Sequence, residues 1–339
     1  MELVLNINEK RVDKIIKNIE ESRSHCPIEH ERDITDYWEH HLSKIKIEKI
    51  EQNKIRVTGE SGFYFPGMTY SGLDLLNTLY KRFGLLKDIS GTPFDLSIPQ
   101  KQGCFFGYKI KGKWISSDFL RSIHHARKII FASKNDSLNL PENLKILEIG
   151  SGTGIQALVF KKLYKKSTYY LVDFPETLAL AQVFLSIVLP ESKFLFFDDW
   201  QKNSNLLNGS DYDFVFIPNY AISQVPDNII HLAINTVSMQ EMNYQTIEMY
   251  FSELRRVLTE PSLFYQCNRD KKMDGVMIKL ENYPYNPNDR HLFKRLDEFQ
   301  QKTLVIRKCF GRIPVLRKIK IILFRTGTHI SSLTKMSKR

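Results

Sequence analysis

The sequence is poor in the features that mark disulfide-rich, zinc-binding and membrane-spanning proteins. It has four cysteines in 339 residues, and none of them forms a CxxC pair, so neither a disulfide framework nor a zinc site is indicated. It has no uncharged apolar run of about 18–20 residues, the length that a transmembrane helix needs. Its first residues soon turn polar and contain no cleavable apolar segment. We therefore expect a protein of the reducing cytoplasm without a transmembrane segment.

Positive charge is unevenly distributed along the chain. The formal net charge is +11, and the excess is concentrated between Arg290 and Arg339, where Asp297 and Glu298 are the only acidic residues. A basic end on a nearly neutral body does not make the broad basic face of a nucleic-acid-binding protein, so we expect no nucleic-acid partner. The basic end is either a solvated tail or a weak contact for anionic lipid or sugar phosphate, which leaves a peripheral position at the inner membrane face open.

The first 135 residues favour helices around an irregular middle. Apolar residues between Val12 and Ile19 follow a helical period, and further helices are predicted at 71–83 and Ser117–Ala132. Residues 88–113 are rich in glycine, proline and lysine and are typical of a loop and hairpin. We predict that residues 1–135 form a mainly helical cap that takes part in substrate binding.

From residue 136 to 327 the pattern alternates between strands and helices, which indicates an α/β domain with a mostly parallel sheet. The five predicted strands are Lys145–Ile149, Tyr169–Val172, Phe214–Ile217, Ile229–Asn235 and Leu263–Cys267. The run Phe194–Phe197 is an alternative candidate for the third strand. We prefer Phe214–Ile217, because the predicted fourth strand follows it at a short spacing. Residues 191–212 would then be an insertion. A last helix at Arg290–Gln301 and strands at 304–310 and 319–324 are expected before a basic tail, 328–339.

A glycine loop follows the first of these strands. Glu148 is followed by Gly150, Gly152 and Gly154, with Ser151 and Thr153 between the glycines. Glycines let the backbone turn sharply and approach a ligand closely, and the next helix points free N–H groups at it. Asp173, at the end of the second strand, can accept both hydroxyls of a ribose. These features predict an adenosine-containing cofactor.

The acid and the G-x-G-x-G spacing resemble the cofactor loop of class I S-adenosylmethionine-dependent methyltransferases. The competing dinucleotide pattern G-x-G-x-x-A is matched from Gly152 to Ala157, but it fails when started at Gly150. The resemblance implies S-adenosyl-L-methionine as the cofactor. It also implies a Rossmann-like sheet of seven strands with an antiparallel hairpin at the end.

Two later segments resemble the bacterial sugar O-methyltransferases. The first is Asp173-Phe-Pro-Glu-Thr177, and the second runs from Ile234-Asn to Ser238-Met-Gln-Glu-Met242, followed by Tyr250-Phe251 and by Phe264–Arg269. The resemblance implies methylation of a sugar hydroxyl, in a surface glycan or polysaccharide. It does not say which sugar, which hydroxyl or which carrier, and the oligomeric state stays open.

A sugar hydroxyl needs a general base, and methyl transfer needs no protein nucleophile. Glu241, after the fourth strand, is the first candidate for the base. His125 is the second, because it shares a helix face with Arg121. Other expected contacts are Arg121, His124 and Gln240 for substrate, and Asn219 and Asn235 for cofactor.

Asp198 and Asp199 are adjacent acids, which are more typical of a turn or helix start than of a metal site, so we expect no metal. Two other functions compete with the methyltransferase. One is an NAD-dependent sugar oxidoreductase, and the other is a degenerate methyltransferase domain that serves as a binding subunit.

Overall fold

The computed structural model describes residues 2–27, 36–59, 108–110, 113–115, 117–270, 278–297 and 329–338. In the N-terminal part, helix α1 (Glu9–Ser24) and helix α2 (Asp36–Leu42) accompany a three-stranded antiparallel sheet. The strands of this sheet are β1 (Glu2–Asn6), β2 (Lys46–Glu51) and β3 (Lys54–Thr58), in the order β1-β3-β2. The helix around Val12–Ile19 was predicted, whereas the small sheet was not. A hairpin of β4 (Tyr108–Ile110) and β5 (Lys113–Ile115) follows, and the predicted helix 71–83 lies outside the described residues.

Helix α3 (Ser117–Asn135) leads into the main sheet, whose elements alternate along the chain. The strands are β6 (Lys145–Ile149), β7 (Thr168–Asp173), β8 (Phe194–Leu195), β9 (Phe214–Pro218), β10 (Ile230–Thr236), β11 (Leu258–Arg269), β12 (Arg290–Leu296) and β13 (His329–Lys335). The helices between them are α4 (Ile155–Leu163), α5 (Pro175–Val188), α6 (Phe197–Lys202) and α7 (Tyr244–Val257). Within the described part of the chain, these strands form an eight-stranded sheet in the order β12-β13-β11-β10-β6-β7-β9-β8.

The strand order settles the identity of the third strand. Strand β9 pairs in parallel with β7, and β10 pairs in parallel with β6 on the other side. Phe214–Pro218 therefore takes third place, as predicted. Phe194–Leu195 is not left out of the sheet, because it pairs with β9 as a short edge strand. It makes the sheet eight strands wide rather than seven.

The end of the sheet differs from the prediction in its positions. Strand β13 runs antiparallel between β11 and β12, so a final antiparallel pair is present. It is built from Arg290–Leu296, where a helix was predicted, and from His329–Lys335, where a basic tail was predicted. The positive charges of β12 lie on an exposed edge strand, where lysine and arginine protect against pairing with other chains. The predicted strands 304–310 and 319–324 lie outside the described residues.

Both faces of the main sheet are covered. Ile146 packs with α3, α4 and α5 on one face, and Leu147 packs with α6 and α7 on the other. Strands buried on both faces read as continuous apolar runs, as β6, β7 and β9 do. This is the Rossmann-like fold of class I methyltransferases, with a mixed N-terminal region beside it. Among the described helices, none is long and apolar enough to cross a membrane.

Candidate active site

The carboxyl ends of three central strands meet at one place. Ile149 at the end of β6 is level with Val172 of β7 on one side and with Asn235 of β10 on the other. The glycine loop, Asp173 and the segment after Asn235 therefore lie next to one another. Ligands of open α/β sheets bind at this carboxyl edge, so the sequence-predicted residues are brought to the expected location.

The three glycines of the loop are required by its backbone. Gly150, Gly152 and Gly154 have φ angles of +72°, +54° and +79°, a region that residues with a Cβ rarely adopt. Gly150 also lies directly against Ser238, and a Cβ at this position would overlap the Ser238 side chain. The loop is thus fixed both by its own conformation and by the segment that follows β10.

Asp173 closes the loop from the neighbouring strand. Its Oδ2 accepts a hydrogen bond of 2.7 Å from the backbone N–H of Gly152, and its Oδ1 accepts one of 2.8 Å from Phe174. Burial raises the pKa of Asp173 to about 6, although these two backbone donors oppose the shift. Each carboxylate oxygen can accept a second hydrogen bond, so Asp173 can bind ribose hydroxyls while it keeps its hydrogen bond to the loop.

The loop combines a buried polar group without a partner and open space, as a cofactor-binding loop does. The hydroxyl of Ser151 is buried and has no hydrogen-bond partner among the described residues. In addition, a Cβ placed on Gly152 would meet no atom within 4 Å. A buried polar atom without a partner, beside open space and close to the carboxylate of Asp173, fits an adenosine cofactor.

Glu148, expected to contact the cofactor, has a partner inside the sheet. Its Oε2 accepts a hydrogen bond of 2.9 Å from the hydroxyl of Tyr169 on β7, and the residue is only 2% exposed. Burial raises the pKa of Glu148 well above its ordinary value, partly opposed by this hydrogen bond. The carboxyl group therefore links β6 to β7 beneath the loop.

Asn235 makes four hydrogen bonds within the protein. Its amide nitrogen donates to the carbonyl of Ile149 at 2.8 Å and to the Ser238 hydroxyl at 2.6 Å. Its oxygen accepts from Asn268 of β11 at 2.8 Å and from the Met239 backbone at 3.3 Å. These four bonds join the ends of three strands, and the cofactor contact of Asn235 stays a prediction.

The same network holds a strained turn. Val237 has a φ of +61°, which is unfavourable for a β-branched residue and persists only where the surroundings impose it. Its N–H donates to the carbonyl of Cys267 at 2.9 Å. Gln240, which is predicted to bind substrate, accepts a hydrogen bond from the backbone N–H of Arg269 at 3.0 Å. The turn thereby places the partly exposed Glu241, at the end of a short 3₁₀ helix, at the edge of the sheet.

His124 and His125 lie deeper than the sequence suggested. Each is about 1% exposed, because β12 and β13 cover the helix that carries them. The His124 Nε2 is 3.3 Å from Asp297 Oδ2, and the Lys128 Nζ is 3.2 Å from the same oxygen. Arg121, on the same helix, is paired with Asp118 at 3.2 Å and is partly exposed. Arg121 alone of these three keeps the exposure expected of a substrate contact.

The N-terminal region reaches the same edge of the sheet. The ring of Trp38 lies 5.7 Å from that of Phe174, the residue after Asp173. Arg23 of α1 pairs with Glu176 at 2.8 Å, and Tyr220 donates to the carbonyl of Ser22 at 2.5 Å. The buried Asn219 begins the 3₁₀ helix that carries Tyr220. Residues of the N-terminal region thus lie along the side of the candidate site that is formed by the ends of β7 and β9.

The predicted turn at Asp198 and Asp199 lies at the start of α6, away from the glycine loop. Asp198 contacts Lys14, Lys17 and Lys202, and Asp199 contacts Lys14. Burial would raise the pKa of Asp198, but the hydrogen bonds from Lys14 and Lys17 and their charges lower it. The pair connects α1 to the main domain.

Sequence reasoning missed several residues of the site. Ser238 and Asn268 lie inside the two segments that resemble the sugar methyltransferases. The resemblance points to these segments but not to the roles of these two side chains. Burial raises the pKa of Tyr250, and the charge of Asp173 adds to the shift, so this tyrosine lies close to Asp173. Asp297 had one signal in the sequence, namely an acid in a strongly basic stretch.

Comparison with known proteins finds distant similarity to methyltransferases. The family model described as lysine methyltransferase matches residues 102–220, about a third of the chain and including the glycine loop. No curated protein sequence matches significantly. Among solved structures, phosphoethanolamine N-methyltransferase 2 of Haemonchus contortus in complex with S-adenosyl-L-methionine is similar at 12% identity and a TM-score of 0.41. The match covers 85% of this chain, which spans 64% of that one.

A second similar structure is geranyl diphosphate C-methyltransferase of Streptomyces coelicolor in complex with S-adenosyl-L-homocysteine. Its identity is 12% and its TM-score 0.36, with 76% of this chain and 98% of that chain covered. At such distances the assignment of the fold rests on the strand order itself.

Proposed function

We propose that this protein is an S-adenosylmethionine-dependent methyltransferase. The observation that carries the proposal is the 2.7 Å hydrogen bond between Gly152 and Asp173, which joins a glycine loop to a ribose-binding acid at the carboxyl edge of the sheet. The antiparallel β13, placed between β11 and β12, argues against the all-parallel sheet of dinucleotide-binding oxidoreductases. The intact loop argues against a degenerate domain.

The cofactor is S-adenosyl-L-methionine, which supplies an electrophilic methyl group on a positively charged sulfur. The backbone of Gly150–Gly154 holds its methionine and ribose portions, with Ser151 as a further hydrogen-bonding group. Asp173 accepts the ribose hydroxyls, and Asn219, after β9, lies on the adenine side. Tyr250 and Trp38 supply aromatic walls near the ribose-binding acid.

The acceptor oxygen must be aligned with the methyl carbon and must lose its proton. Alignment alone can supply a large part of the rate acceleration, because it removes the entropy cost of bringing two reactants together. Glu241 is the proposed base, since it is partly exposed and fixed by the turn that Asn235 and Ser238 hold against the loop. His125 is the weaker candidate because it is buried under β12 and β13 and no described side chain bonds its Nε2.

The proposed acceptor is a sugar hydroxyl in a surface glycan or polysaccharide, with Arg121 and the N-terminal region as acceptor contacts. The support is the segment from Ile234 to Met242. Its asparagine, serine and glutamine hold the strained turn at Val237, so they act together in positioning Glu241. A peripheral attachment of the basic stretch after Arg290 to anionic lipid would bring the enzyme to lipid-linked acceptors.

A second candidate acceptor is the amine of a lysine side chain. It is favoured by the family model that matches residues 102–220. An amine also needs deprotonation before attack, and Glu241 can serve that step equally well. The two acceptors therefore share one catalytic arrangement and differ in what the cap region recognises.

Titration calorimetry of the full chain with S-adenosylhomocysteine and, separately, with NAD tests the cofactor. We expect binding of S-adenosylhomocysteine only, lost in Asp173→Ala and retained in Asp211→Asn, which changes an exposed acid on a loop. NAD binding without S-adenosylhomocysteine binding would contradict the proposal. The acceptor is tested by incubation with isotope-labelled cofactor and either glycan or protein extracts of the host, followed by mass spectrometry. Label in O-methylated sugar supports the first acceptor, and label in methyl-lysine supports the second.

A further inference from the structure

A buried group of three potential metal ligands lies beside the candidate active site. His125 comes from α3, Cys267 from β11, and Asp297 follows β12, and their ligand atoms all lie within 4.8 Å of one another. The three residues are 1%, 0% and 0% exposed. His125, Cys267 and Asp297 are far apart in the sequence, so the fold brings them together and no sequence motif of metal ligands contains all three.

From this geometry we propose that His125, Cys267 and Asp297 bind a divalent transition metal, with zinc as the expected ion. Imidazole nitrogen, thiolate sulfur and carboxylate oxygen are all ligands that zinc accepts, and soft thiolate disfavours magnesium and calcium. The proposal does not depend on the proposed methyl transfer, and it assigns His125 to a metal rather than to the role of base.

The state of the histidine supports the proposal. The Nε2 of His125 is buried and has no hydrogen-bond partner among the described residues. A buried polar atom without a partner is unusual in a folded protein and calls for a water molecule or an ion.

The surroundings orient the carboxylate. His124 and Lys128 both approach Oδ2 of Asp297, and Lys128 also donates to the Ser331 hydroxyl. Such second contacts fix the direction of a metal-binding carboxylate.

Binding of a divalent ion depends on the charges around the cluster and on the distances between the three ligand atoms. Among the described residues, the charged or titratable groups near the cluster include Arg121 and Lys128, which act on His125, and His329, which interacts with Asp297. A thiolate and a carboxylate together balance a divalent ion, so Lys128 can stay in place. Bonds of about 2.0–2.3 Å around a tetrahedral zinc put ligand atoms roughly 3.3–3.8 Å apart. Ligand atoms at the 4.8 Å limit must therefore approach one another by about 1 Å when the ion binds.

The position of the cluster relates it to the candidate active site. Cys267 is level with Thr236 of β10, and Asn235 is level with Ile149 at the start of the glycine loop. The cluster thus lies at the same edge of the sheet, on the face covered by α3. Three protein ligands leave a fourth position for water.

The test uses the full chain, stripped with a chelator and then loaded with Zn²⁺ or Co²⁺ alone. We expect one tightly bound zinc per chain by elemental analysis, and for Co²⁺ a thiolate-to-cobalt charge-transfer band together with the visible bands of a tetrahedral ion. Cys267→Ser should abolish the charge-transfer band, and His125→Gln should lower the zinc content. Cys26→Ser changes a cysteine away from the cluster and should alter neither.

The wild type alone already decides the outcome if a variant fails to fold. Less than stoichiometric zinc, or a cobalt spectrum without a thiolate band, would overturn the proposal. So would a band that survives Cys267→Ser but disappears when Cys104 and Cys309 are both changed to serine. Circular dichroism of each variant separates loss of the site from loss of the fold.

Discussion

Ser238 lies directly against Gly150, so that the segment after β10 fills the space that a side chain on the first loop glycine would need. Gly150→Ala should therefore reduce S-adenosylhomocysteine affinity far more than Gly152→Ala, where a Cβ meets nothing. Both changes place a Cβ on a left-handed residue, at a cost of about 1–2 kcal/mol. Only the first adds a steric overlap.

Titration calorimetry of both variants checks this prediction. A third variant, Gly150→Ala combined with Ser238→Gly, should recover part of the lost affinity because the overlap is removed while the backbone strain stays. Equal losses in the two single variants would show that Ser238 plays no part in fixing the loop.

Cofactor affinity should depend on pH through Asp173. Its pKa is raised to about 6 by burial, whereas a ribose needs the ionised form as hydrogen-bond acceptor. Affinity should therefore be constant above about pH 7 and fall as the pH drops through 6, by up to tenfold per pH unit. The stability of the free protein has the opposite sign. A raised carboxyl pKa contributes stability below the unfolded value of 3.8 that is lost as the pH rises through about 6.

Calorimetry at pH 5 to 8 in buffers of different ionisation enthalpy measures both the affinity and the protons released. Asp173→Asn should bind more weakly and show a much flatter pH profile. Replacing the charged acceptor should cost about 1.5–3 kcal/mol, roughly 10- to 150-fold in affinity. A wild-type affinity that is unchanged between pH 5 and 7 would contradict the role of Asp173.

Glu241→Gln should lower kcat while leaving S-adenosylhomocysteine affinity nearly unchanged. A positioned general base contributes typically about 10²–10⁴-fold to the rate, and the amide of glutamine cannot take a proton. Glu248→Gln makes the same chemical change on an exposed face of α7 and is the matched control. Turnover is measured with whichever acceptor the labelling experiment identifies. If Glu241→Gln retains full kcat, the base is another residue.

Asp198→Asn should loosen the N-terminal region from the main domain. The side chain of Asp198 is 1% exposed and contacts three lysines, whereas Asp199 is 34% exposed and contacts one. We expect a loss of about 1–2 kcal/mol for Asp198→Asn, discounted because the lysines are partly hydrated, and less than about 0.5 kcal/mol for Asp199→Asn.

Thermal unfolding and limited proteolysis of α1 measure this effect. Because the pKa of Asp198 is lowered, its contribution is present above the unfolded value of 3.8 and is lost as the pH falls below it. An Asp199→Asn variant that is as unstable as Asp198→Asn would argue against a specific contact at Asp198.

The sequence was informative where backbone geometry depends on residue type. The loop from Gly150 to Gly154 needs glycine at three positive φ angles, and buried parallel strands need apolar runs, so both could be read directly. It was misleading at Arg290–Leu296, because an exposed edge strand carries charges without alternation and is held in place by its pairing with β13.

Side-chain roles were harder to predict, since a residue type does not reveal its partner. Asn235 and Gln240 are polar residues at the expected edge, yet their hydrogen bonds go to Ile149, Asn268 and Arg269. His124 was expected to contact substrate and His125 to be a candidate base, but Asp297 and the strands β12 and β13 bury both. Partners that arrive from distant parts of the chain cannot be deduced from local spacing.

The insertion of β13 between β11 and β12 also bears on how the protein is made. A ribosome that has finished β11 must synthesise about 60 further residues before His329–Lys335 can pair with Leu263–Arg269. During that interval the β11 edge stays open to other chains. We therefore expect the nascent protein to be most prone to aggregation, and most dependent on chaperones, just before β13 is complete.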